Sequence, residues 1–173
     1  MRPTAAAFAT TGLVALALAT ACGSSGSSSA PRARTYDLSV LGASEPVRVQ
    51  VQLPATWKET PGDRGEPWFA LPGVDGALLT IAAVSPAGTA DERMAKAIKL
   101  QYGDAAGATR ADLPGGRVWI VEHEGSREHA RMFVPYADGV VMGAAMLEDP
   151  DGTRVPAIRA VFDTITIVAP AAR

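Results

Sequence analysis

The sequence predicts one α+β domain built on a central, mostly antiparallel β-sheet flanked by helices. Three observations carry that expectation. Val47, Val49, Val51 and Leu53 alternate with Arg48, Gln50 and Gln52, the period of two of a half-buried strand. Thr89 and Glu92 have the spacing of a capping box ahead of a helical pattern. Two further alternating stretches flank Gly125-Ser126, a pair suited to a two-residue hairpin turn. Strand runs interrupted by isolated helices are the pattern of an α+β fold.

The chain opens Met1-Arg2-Pro3-Thr4 and carries no charged side chain from Ala5 to Pro31. One arginine, an apolar stretch centred on Leu13 to Leu18 and then small residues describe a secretory signal peptide over residues 1–21. Its apolar part is shorter than the roughly 20 residues that span a bilayer. Leu18-Ala19-Thr20-Ala21-Cys22 resembles the lipobox of bacterial lipoproteins, with Ala19 where leucine is more usual. The resemblance implies cleavage before Cys22, acylation of its thiol (with palmitate or a similar chain) and anchorage of the exported protein to the cell membrane. In a host with two membranes, Gly23 after the cysteine, in place of the aspartate that retains such proteins, implies the outer membrane. The alternative is an ordinary signal cut at Ala19-Thr20-Ala21, leaving Cys22 free. One buried acyl chain anchors only marginally, whereas two or three hold firmly.

Residues 22–34 read as the lipidated cysteine and a flexible tether. Gly23 to Ala30 is serine and glycine apart from its last residue, too poor in apolar surface to order itself. About twelve residues of this kind span roughly 20 Å. Residues 35–169 form the single domain. Cys22 is the one cysteine of the chain, so the domain has no disulfide and depends on its own apolar core. The whole chain carries a net charge of −2, and without Arg2 it has 15 basic and 18 acidic side chains. That balance offers no basic footprint for nucleic acid.

Within the domain, Tyr36 to Leu41 and Val47 to Leu53 are expected strands, the second stopped by Pro54, with Trp57 on the turn that follows. Pro67 to Leu71 and Ala77 to Val84 read as a hairpin around Pro72-Gly73-Val74-Asp75-Gly76. The helix after Thr89 sets Met94, Ile98 and Tyr102 on one face, and Gly103 is placed to end it in the left-handed conformation. Arg117 to His123 and Glu128 to Tyr136 form the second hairpin, and Gly139 to Leu147 is a further apolar strand. Val155, Ile158, Val161 and Phe162 have helical spacing, with Pro156 in the first turn, before a last strand over Thr164 to Val168.

An early amphipathic strand ending in Leu53-Pro54-Ala55-Thr56-Trp57 resembles the start of the Mog1/PsbP-like fold, and the later order of elements is similar. That resemblance implies a central antiparallel sheet with helices on its faces. It also implies non-catalytic work in binding or assembling larger complexes.

Chemistry is sparse. In the second hairpin Glu122 is expected opposite His129, with Arg131 on the same face and His123 on the other. The trio could hold an anion, or Glu122 and His129 could begin a metal site, but zinc needs three or four ligands and no spacing nearby completes one. The plain reading is a polar cross-strand ladder. Pro114-Gly115-Gly116-Arg117 lacks the ending of a phosphate loop. Asp149-Pro150-Asp151-Gly152 has Ala160 where a calcium loop needs a bidentate glutamate, so it reads as a plain loop. No cofactor and no metal are expected. The function expected is that of a membrane-tethered, non-enzymatic binding or assembly module with an envelope protein as partner. The alternative is a small-ligand carrier using a pocket between the sheet and a helix. A pocket with convergent polar groups would favour the carrier, and an exposed apolar patch would favour a protein partner.

Overall fold

The computed structural model describes residues 30–41, 43–62, 65–103 and 107–168. The expected signal peptide and Cys22 lie outside them. The alternation at Val47–Leu53 (β3) is realised residue by residue: Val47, Val49, Val51 and Leu53 are buried, while Arg48 and Gln52 are exposed. Antiparallel to β3 runs Arg32–Leu38 (β1), which begins inside the stretch expected to be tether. Asp37 sits opposite Arg48 and accepts two guanidinium hydrogen bonds, at 2.7 and 2.8 Å, that hold its carboxyl below the usual range. Thr166–Ile167 (β11) pairs with the other side of β3 and completes a three-stranded sheet.

The second sheet is larger. Its strands are Lys58–Pro61 (β4), Pro67–Ala70 (β5), Leu78–Val84 (β6), Thr109–Leu113 (β7), Arg117–Glu124 (β8), Arg127–Tyr136 (β9) and Gly139–Glu148 (β10). They lie in the order β4-β5-β6-β10-β9-β8-β7, with every neighbouring pair antiparallel. The short strand Val40–Leu41 (β2) joins β6 in parallel. Both expected hairpins are present, and the second has the expected register, with Glu122 opposite His129 across the Gly125-Ser126 turn. β4 and β7 have no counterpart in the sequence reading.

The helix-flanked α+β layout is therefore corrected. The two sheets pack face to face in a β-sandwich-like arrangement, and among the described residues there are two α-helices, Ala90–Tyr102 (α1) and Arg154–Phe162 (α2). The physical reason lies in what alternation encodes: it marks which side of a strand is buried, not what buries it. The buried side of β3 faces Leu79, Ile81, Met132 and Val134 of the large sheet, so a sheet takes the place expected for helices. Fully burying a valine, leucine or phenylalanine contributes about 1.5–3 kcal/mol. This interior is the main source of stability.

α2 fills the side of the sandwich with Ile158, Val161 and Phe162. Its close approach depends on Gly143 of β10, where a Cβ would come within 2.8 Å of the Phe162 ring. Arg117 ties the segment after α2 to the large sheet, donating to the carbonyls of Asp163 at 2.7 Å and Ile165 at 2.8 Å. Asp149, in the expected plain loop, does local work. Its two carboxylate oxygens accept from the N–H groups of Arg154 and Val155, both at 2.9 Å, and so satisfy the start of α2.

α1 covers part of the opposite face of the large sheet. The capping box forms as expected: Thr89 Oγ1 accepts from the Glu92 N–H at 3.4 Å, and the Glu92 carboxylate accepts from the Thr89 N–H at 2.8 Å. Gly103 ends the helix at φ 60° and ψ −126°, a conformation suited to glycine but not the left-handed helical one expected. Met94, Ile98 and Tyr102 pack with Ala97 on Val118, Ile120, Phe133 and Met142.

Candidate functional site

The outer face of β6 is where the structure leaves room. On β6 Leu79, Ile81 and Ala83 point into the sandwich, while Leu78, Thr80, Ala82 and Val84 point away from it. α1 packs across β9 and β10, so the outer side of β6 toward β5 is not covered by it. Along the far edge of β6, β5 pairs with Leu79 and Thr80, and β2 pairs with Ala83 and Val84. Between these partners lies an apolar groove of about 390 Å³.

Leu38, Val40, Leu41, Ala82, Ala83 and Val84 supply its apolar lining. Its polar groups come from Ser39, Glu66, Trp68 and Thr80. The Trp68 indole N–H donates to the Glu66 carboxylate at 3.3 Å, and the Thr80 hydroxyl donates to the Pro67 carbonyl at 2.9 Å. Leu41 on the rim is 67% exposed. A narrow crevice beside α1 shares Ala82 and Val84 with the groove and is bordered by Leu100, which is 66% exposed. Pockets of about 300–1,000 Å³ with apolar walls and a few fixed polar groups are the usual form of a small-molecule site.

The sequence reading did not find this groove. Its elements were legible singly: Leu41 at a strand end, Trp68 in the first hairpin and Ala82 on an alternating strand. The one local signal was the small outward pair Thr80 and Ala82, set between Leu78 and Val84 on β6, which leaves space where no helix covers it.

The sequence-predicted residues assemble elsewhere, on the α1 side of the β8–β9 hairpin. Glu122 and His129 are cross-strand partners, and Arg131 lies opposite Ile120 on the same face. They do not pair with one another as a ladder. His129 Nε2 lies 3.0 Å from the Glu124 carboxylate, diagonal to it at the hairpin end. The Arg131 guanidinium stacks 4.2 Å from the centre of the Tyr102 ring, with its Nη1 buried and unpartnered. The single Tyr102 hydroxyl hydrogen is shared between the carbonyls of Ile120 at 3.2 Å and His129 at 3.4 Å. Burial raises its phenol pKa, against the lowering effect of Arg131.

On the other face His123 Nδ1 lies 2.7 Å from Glu128. The patch thus fastens the end of α1 to the hairpin. Among the described residues no three of His, Cys, Asp and Glu stand close enough to hold a metal ion. No helix among them is long and apolar enough to cross a membrane. Set against protein-family models, curated protein sequences and solved structures, the chain matches none.

Proposed function

We propose that the chain is an exported lipoprotein, anchored through Cys22 and a short Ser/Gly tether, that binds without catalysis a small, mainly apolar ligand in the groove between β2 and β5. The groove itself carries this reading. It combines an apolar wall, a half-exposed tryptophan and a carboxylate at one end, on a face whose opposite side is fully packed. An apolar ligand seated there would remove Leu41, Trp68 and Ala82 from water, at about 25 cal/mol per Å² of apolar surface. The strands that carry these residues are fixed by the packed core, so the site is formed before the ligand arrives and little binding energy goes into ordering it.

The anchor and the groove are tested separately. Decanol titrated into the protein is expected to shift tryptophan emission to shorter wavelength in a saturable way. The shift is expected to vanish in Trp68→Phe, because Trp119 is buried in the core and Trp57 packs against it. A response that never saturates, or that persists in Trp68→Phe, contradicts the groove as the site. For the anchor, Cys22→Ser is expected to move the protein from the membrane pellet to the soluble fraction. Retention of the variant in a salt-washed pellet contradicts lipidation at Cys22.

A further inference from the structure

The large sheet ends on β7, and among the described residues nothing pairs with the outer edge of that strand. We propose that this edge is a self-association surface, on which two copies of the chain pair β7 with β7, antiparallel, across a two-fold axis at Ala111. The inference goes beyond the groove and does not depend on it.

Free edges present a row of backbone donors and acceptors that can template pairing with another strand, and proteins usually block them. The other edges here are blocked in recognisable ways. β4 holds Pro61, which has no N–H to donate. β1 carries Arg32 and Arg34, charged side chains of the kind that guard an edge, and Arg34 is already engaged with Glu59 of β4 at 4.0 Å. β11 has only two residues. β7 has neither proline nor a like-charge clash.

Its charges are instead self-complementary. Arg110 and Asp112 are two residues apart on one face of β7 and are joined within the strand at 2.8 and 3.0 Å. Antiparallel pairing about Ala111 places Arg110 opposite Asp112 of the second copy, and Asp112 opposite its Arg110. Each carboxylate then lies between two guanidinium groups. On the other face Ala111 and Leu113 are partly exposed at the border of the sandwich interior, and the second copy would extend the covering over them. A closed two-fold contact of this kind uses the same patch on both partners and stops at two copies.

The register makes the proposal testable with single cysteines. In the full-length chain carrying Cys22→Ser, an introduced cysteine is the only thiol. The two Ala111 Cα atoms would lie about 4.5–5.5 Å apart, inside the range of about 4.4–6.8 Å that a disulfide bridges. The two Thr109 Cα atoms would lie on opposite sides of the axis, roughly 14 Å apart at the rise of a strand. Under mild oxidation Ala111→Cys is expected to give a covalent dimer at least tenfold faster than Thr109→Cys.

Adding Arg110→Asp is expected to slow that cross-link at least tenfold, and Arg110→Asp with Asp112→Arg is expected to restore it. Equal rates at the two cysteines, no cross-link at either, or indifference to the charge reversal would overturn the proposal. Sedimentation equilibrium of Arg110→Asp and of the double reversal, without any introduced cysteine, reads the same charge dependence if Ala111→Cys fails to fold. A sedimenting monomer in every variant, including the unsubstituted edge, would also overturn it.

Discussion

The two faces of the large sheet are made by the same strands and have opposite fates. On the inner face Leu79, Ile81, Ala130 and Met132 show no exposure, sealed by the three-stranded sheet and α2. On the outer face of β6, one residue away along the same strand, Thr80 and Ala82 are small and half-exposed, and an apolar groove lies over them. The difference is one of side-chain volume and of cover. An interior at crystal-like density feels every added methylene, whereas a groove wall has solvent to displace. The inner face and the α1-covered part of the outer face hold the fold, and the uncovered part over β6 is free to bind.

The comparison breaks most visibly on the inner face. Val49→Asp puts a carboxylate at a position with no exposure, opposite Tyr36 and between two sheets. An unpaired charge there costs several kcal/mol, so the domain is expected to unfold, with loss of the cooperative transition in circular dichroism. A milder change is Gly143→Ala. The added methyl would meet Phe162, itself fully buried, at 2.8 Å. Overpacking of this kind costs about 1–3 kcal/mol. Urea denaturation is expected to show a lowered midpoint with an unchanged slope.

How much of this was legible follows from the range over which each signal acts. The faces of β3 and the register of the β8–β9 hairpin were readable because alternation and a two-residue turn are local. So was the start of α1, whose Thr89 and Glu92 lie within one turn of each other. What covers a strand was not readable. Val49 of β3 and Ile81 of β6 look alike in sequence, yet they face each other across two sheets instead of sharing one.

β4 and β7 were missed for a related reason. Lys58–Pro61 is exposed throughout, and Thr109–Leu113 mostly so, and such edge strands lack the apolar alternation that announces a strand. The loop at Asp149 hid its role because its carboxylate reaches N–H groups five and six residues on, outside any capping pattern. The groove was beyond reach in the same way, since it closes only when Leu41, Trp68 and Ala82 meet from three separate strands. The Glu122, His129 and Arg131 trio was placed on one face, but its contacts run to Glu124 and to the Tyr102 ring, which pairing rules for a flat hairpin do not supply.

The central claim is that the inner face is packed throughout, whereas the outer face, covered by α1 over β8 to β10, opens over β6 into a binding groove. It is tested most directly by making the same substitution on both. Ala145 of β10 is 4% exposed on the inner face, and Ala82 of β6 is half-exposed in the groove. Ala145→Leu is expected to lose about 1–3 kcal/mol of stability through overpacking. Ala82, partly buried beside the α1 cluster, has the groove to expand into, so Ala82→Leu is expected to cost less than about 1 kcal/mol, below the range of core overpacking. It is also expected to weaken the decanol response at Trp68. Equal destabilisation by the two leucines, or an unweakened decanol response in a stable Ala82→Leu protein, would contradict the account.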